Sequence, residues 1–71
     1  MSEWISVKDR LPENEVDAIL AILLNGNYYV MIGRRSGYVW DIYTLDGIQW
    51  VNSVTHWMPL PEPPKEAPHE N

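Results

Sequence analysis

Two histidines, ten acidic side chains and a few serines are the main candidates for reaction chemistry in this 71-residue chain. His56 lies in the run Thr55-His56-Trp57, and His69 stands near the C-terminus. A tetrahedral zinc site would need at least two more ligands. Without cysteine these would have to be carboxylates, a poor set for zinc. Nucleophilic catalysis is no better served: Ser2, Ser6, Ser36 and Ser53 lack the G-x-S-x-G setting of a nucleophile elbow, and His56 alone is placed to act as base. His56 beside Trp57 is expected to be a structural histidine that donates a hydrogen bond. Asp17 and Asp41 are the acids in apolar surroundings, where burial would raise a carboxylate's pKa. A strand-edge position is expected for each instead. Gly26, Gly33, Gly37 and Gly47 stand singly, so no glycine-rich loop cradles a phosphate. The expectation is a non-enzyme with no metal and no cofactor.

Binding chemistry is better represented. Four Trp and four Tyr cannot all be buried fully in so short a chain, and exposed apolar patches mark partner surfaces. The candidate residues are Trp4, Trp40, Trp50 and Trp57, with Met58, Pro59, Leu60 and Pro61 beside the last. Two roles compete for this set. In one, Trp57-Met58-Pro59-Leu60-Pro61 folds back over the first strand and clamps the Trp4 end. In the other, these residues anchor a partner protein. Pro61–Pro64 forms a P-x-x-P, but Glu66 stands where a basic flank would help groove recognition.

Charge narrows the partners. Ten acids against five bases give a net charge of −5, which opposes binding to the phosphate backbone and to anionic lipid. Arg34-Arg35 is the one adjacent basic pair, and it is expected to meet Asp or Glu or to stay solvated. The longest apolar run, Ala18–Leu24, is far shorter than the ~20 residues of a membrane span. No basic segment followed by an apolar one opens the chain, so a cytoplasmic protein is expected, in keeping with the absence of cysteine.

The elements that must position these residues read as strands. Val16–Arg35 is a β-hairpin centred on Asn25-Gly26, the dipeptide best suited to a type I′ turn. Its first arm, Val16–Leu24, has helix-favouring residues, but its length and the turn after it favour strand. As a strand it is apolar on both faces beyond Asp17, which calls for cover on both sides or for a second subunit. In the returning arm Tyr28, Val30 and Ile32 share one face and Tyr29 and Met31 the other, while Gly33 predicts a bulge or a close backbone approach. Trp4–Val7 is a first strand or extended arm, and Leu11-Pro12-Glu13-Asn14-Glu15 a corner. Ser36-Gly37 is a turn, Tyr38–Leu45 a third strand and Asp46-Gly47 another turn. Ile48–Val51 and Val54–Met58 make one bent strand or two short ones. Pro59–Pro64 is extended and polyproline-like, and residues 65–71 form a loose tail. The fold class expected is mainly β, with α+β as the alternative. The architecture is one small domain over residues 1–64, an antiparallel meander built on the central hairpin.

Trp4-Ile5-Ser6-Val7-Lys8-Asp9-Arg10-Leu11-Pro12 and Val54-Thr55-His56-Trp57-Met58-Pro59-Leu60-Pro61-Glu62-Pro63-Pro64 resemble the two ends of a small domain family. That family is widespread in bacteriophages and prophages and is known as domain of unknown function 551. The resemblance covers about residues 3–65. It implies a phage or prophage accessory protein of an enterobacterial type of host, and it transfers no catalytic residue, cofactor or substrate. The function expected is a small acidic module that binds a host or phage protein, to counter a defence or redirect a host enzyme. The alternatives are a homo-oligomeric structural protein and an acidic DNA mimic that inhibits a nucleic-acid-binding protein.

Overall fold

The computed structural model describes residues 3–64; the expected tail, 65–71, lies outside the described residues. Six strands form a single antiparallel sheet: β1 (Ile5–Ser6), β2 (Ala18–Leu24), β3 (Asn27–Ser36), β4 (Val39–Thr44), β5 (Gly47–Val51) and β6 (Val54–Pro59). No helix occurs among the described residues, so the chain is all-β and the α+β alternative falls away. The central hairpin is the one expected. Leu24 pairs with Asn27, and both turn residues have left-handed backbones, φ 52° at Asn25 and 81° at Gly26. Those angles belong to a type I′ turn, whose twist matches that of the strands it joins.

The antiparallel meander built on this hairpin runs from β2 to β5. β2, β3, β4 and β5 follow one another across the sheet, but β6 returns to the far side of β2, giving the order β1-β6-β2-β3-β4-β5. Ile48–Val51 and Val54–Met58 are therefore two strands, separated in the sheet by β2, β3 and β4. Tyr38, expected inside a strand, sits fully exposed in the turn before β4.

This order forces the sheet to curl. Val51 pairs with Trp40 of β4, while Val54 pairs with Ile22 of β2. Three residues of extended chain span at most about 11 Å, whereas four strand spacings in a flat sheet would separate β5 from β6 by about 19 Å. The ends of β5 and β6 meet only if the sheet wraps around one face. β3 makes the corner: its residues up to Gly33 pair with β2, and those from Gly33 onward pair with β4. At Gly33 a Cβ would overlap the Asp41 carbonyl oxygen and lie 2.9 Å from Leu20 Cδ1. Only hydrogen fits there, so the close approach read from the sequence is the outcome.

The inner face of the curl is the core. Ala18, Leu20, Ile22, Trp40, Ile42, Val54 and Trp57 are buried in one cluster, with Ile5, Val7, Met31 and Val51 packed against it. Register shows why these belong together: Ile5, Trp57, Leu20 and Met31 are opposite one another across β1, β6, β2 and β3. The segment 7–17 closes this face. The Trp57 indole Nε1–H donates to the Arg10 carbonyl at 2.8 Å, with the Arg10 guanidinium 5.7 Å from the ring centre. Arg35 donates through Nε and Nη2 to the Pro12 carbonyl at 3.1 and 2.9 Å, and Pro12 is buried. Arg35 thus meets main-chain carbonyls, neither pairing with an acid nor staying solvated as expected. Arg34 does face an acid, Asp41, at 3.8 Å, which is beyond hydrogen-bond length. Asp41 itself is not at a strand edge, since β4 is paired on both sides, with Arg34 and with Trp50.

Candidate functional site

The outer face of the curl has a different composition and a different fate. Residues of opposite parity point there: Ala21 and Leu23 from β2, Tyr28, Val30 and Ile32 from β3, His56 and Met58 from β6, Ile48 and Trp50 from β5, and Trp4 ahead of β1. Most are apolar, and little covers them. Tyr28, Val30, Ile32 and Trp4 are 59, 62, 47 and 41% exposed. Trp4, Tyr28, Val30 and His56 rise around buried Ala21 and enclose a hollow of about 340 Å³.

Local sequence explains the hollow. Ala21 is the small residue in a row of large ones, so its neighbours stand above it as walls. A β-bulge lies beside it: Ala21 pairs with His56 and Ile22 with Val54, leaving Thr55 as the extra residue of β6. A bulge re-aims a side chain and sharpens the local twist. Here Thr55 Oγ1 lies 2.8 Å from His56 Nδ1, which orients the imidazole within the wall. His56 is expected to donate a hydrogen bond; the structure pairs its Nδ1 with the Thr55 hydroxyl, donor and acceptor being set by the tautomer, and places the ring in the wall of a hollow. A second hollow of about 410 Å³ lies between segment 12–17 and the end of β6, lined by Pro12, Val16, Ala18, Trp57, Pro59 and Leu60 among others.

The structure divides the sequence-derived candidates. Trp40 and Trp57 are core residues, 8 and 7% exposed, while Trp4 and Trp50 lie on the outer face, Trp50 at 77%. Met58 is half-buried on the outer side, Pro59 and Leu60 rim the second hollow, and Pro61 is exposed. The clamp is also redrawn. The Trp57 segment does not fold back over the first strand; β6 pairs edge to edge with β1, Ile5 opposite Trp57 and Ser6 opposite His56. Trp4 and Trp57 therefore project to opposite faces, and it is Arg10, not Trp4, that Trp57 holds. The two end motifs are nonetheless neighbours in space. Sequence reasoning missed Ala21, Tyr28 and Val30 as site residues, although Tyr28 and Val30 are alternate residues on one face of a strand. Among the described residues no three His, Cys, Asp or Glu side chains gather as a metal site would require, and no helix is long and apolar enough to cross a membrane.

A sequence model of the family described as "Protein of unknown function (DUF551)" matches residues 3–65. The chain belongs to this family. Its match begins just before Trp4 and ends just after the proline segment, so the two end motifs and the sheet they bracket make up the DUF551 domain. A relative is the "Uncharacterized 7.8 kDa protein in ral-gp17 intergenic region" of Salmonella phage P22. The two are 32% identical over 66 residues, covering 90% of this chain and 98% of the phage protein. No solved structure matches the chain.

Proposed function

We propose that this DUF551 domain is a non-enzymatic protein-binding module whose docking site is the outer face around Trp4, Tyr28 and Val30. It acts on a host or phage protein, as an accessory function of a phage genome would. The observation that supports this reading is the hollow over Ala21. Its walls are mainly apolar and aromatic, its lining holds no carboxylate, lysine or arginine, and its floor and most of its rim come from three strands of a hydrogen-bonded sheet. A rigid apolar depression with aromatic walls accepts an apolar side chain from a partner, the arrangement in which a few buried contacts dominate binding energy. The chain's net charge of −5 favours a basic partner, because complementary charge speeds encounter.

The test uses the tagged protein to capture partners from host lysate, with and without infection, followed by reconstitution from purified components. Trp4→Ala should weaken the reconstituted complex at least tenfold, whereas Tyr38→Ala, far from the hollow, should leave it intact. A partner that binds the Trp4→Ala and Tyr28→Ser variants as tightly as wild type would overturn the assignment of the site.

A further inference from the structure

β3 pairs with β2 over its first seven residues and with β4 over its last four, the two overlapping only at Gly33. Asn27–Ile32 pairs with β2, from Asn27 opposite Leu24 to Ile32 opposite Ile19, but β4 begins its pairing with β3 at Gly33. Among the described residues, six consecutive residues of β3 therefore present a free strand edge, where every second N–H and C=O lacks a sheet partner. Proteins protect such edges with charge, proline, bulges or brevity. Asn27-Tyr28-Tyr29-Val30-Met31-Ile32 has no charge, no proline and no positive φ.

The other edges are weaker candidates. β1 is two residues long and runs into Lys8-Asp9-Arg10. β5 is uncharged, but Gly47 and Gln49 give it apolar side chains mainly on one face. Along β3, by contrast, Tyr28, Val30 and Ile32 are exposed on the outer face and Tyr29 on the inner, with half-buried Met31 beside it.

We propose that a second copy of this chain pairs with Tyr28–Ile32, antiparallel, about a twofold axis through Val30. The sequence is self-complementary in that register. Val30 meets Val30 of the copy, Tyr28 meets Ile32, and Tyr29 meets Met31, so an apolar side chain faces an apolar one at each of these positions on both faces. Such cross-strand pairs are what stabilise a sheet. The charges do not oppose the register, since no charged residue lies within the paired segment. The repulsion between two chains of net charge −5 acts mainly at longer range and is screened within about 8 Å at physiological salt. A twofold axis normal to the sheet keeps both outer faces on the same side, so the two hollows adjoin across the Val30 pair. An isologous contact of this kind closes at two copies.

Self-association is read on the purified chain alone, so its outcome is separate from whether the hollow binds a partner. Sedimentation from micromolar to millimolar concentration should show a monomer–dimer equilibrium. The chain has no cysteine, so single cysteines report register. Val30→Cys should form a covalent dimer in high yield under mild oxidation, since residues opposed across a strand pair lie within disulfide reach. Tyr38→Cys and Trp50→Cys should not. Ile32→Lys, outside the hollow's lining, should weaken the dimer at least tenfold while the melting temperature of the dilute monomer stays unchanged. A monomer at millimolar concentration would refute the proposal. So would a dimer that links through position 50, or one that fails to link through position 30.

Discussion

Leu20 and Ala21 are consecutive residues of one strand, and they belong to two different surfaces. Leu20 is fully buried on the inner face, under the two indoles and the 7–17 segment. Ala21 points outward into a hollow whose walls are largely exposed. Both faces of the curl are apolar along β2 and β3, so hydrophobicity alone does not separate core from surface. What separates them is cover. The chain has one corner segment with which to close a face, and Trp57–Arg10 and Arg35–Pro12 commit it to the inner one. A single sheet needs a second layer to bury both sides, and among the described residues the outer side has none.

The comparison breaks most sharply at Trp57. Trp57→Ala removes a core indole and the hydrogen bond that fastens the corner, and should cost about 3–5 kcal/mol in chemical denaturation. An unchanged midpoint together with lost partner binding would make Trp57 an interface anchor instead. The next test pairs the two faces with the same truncation. Leu20→Ala should cost about 2–5 kcal/mol, while Val30→Ala in dilute monomer should stay within about 0.5 kcal/mol of wild type. Equal losses would mean that the outer face is as well packed as the inner. A smaller effect is expected at the turn both faces share: Gly26→Ala places a side chain in a left-handed backbone and should cost about 1–2 kcal/mol without changing the fold seen by circular dichroism.

The smallest effect is a pH dependence. The Tyr43 hydroxyl donates to Asp17 Oδ1 at 2.6 Å, and that hydrogen bond, helped by desolvation and by the Asp17 charge, raises the Tyr43 pKa above its ordinary value. A group whose pKa is raised on folding favours the folded state while it is protonated. Its contribution is therefore complete below the unfolded tyrosine pKa of about 10 and is lost as pH rises through the folded value. Tyr43→Phe should lower stability slightly near neutral pH and flatten the part of the alkaline decline that this tyrosine causes. An unaltered alkaline profile would show that the bond does not persist in solution.

Much of the sheet was legible because its signals are local. Asn25-Gly26 dictates a type I′ turn through the φ angles it tolerates, and strand alternation places Tyr28, Val30 and Ile32 together whatever lies beyond them. Gly33 signalled a close approach for the same reason. The end motifs pointed to the family, and the match over residues 3–65 shows it. Equivalent-looking residues, however, could not be sorted. Trp4, Trp40, Trp50 and Trp57 have the same chemistry in the sequence, yet two pack the core and two face outward. Their assignment depends on where β6 goes. Nothing local in Val51-Asn52-Ser53-Val54 says that the chain will leave β5 and re-enter the sheet beside β2. That return is long-range pairing, chosen by the burial of Trp57 and Val54 against Leu20 and Ile22. Strands, turns and the alternation of faces can be read along the chain, because they follow from backbone preferences within a few residues. Which face becomes the core and which edge stays open emerges only in the folded sheet, because cover and curl are properties of the whole.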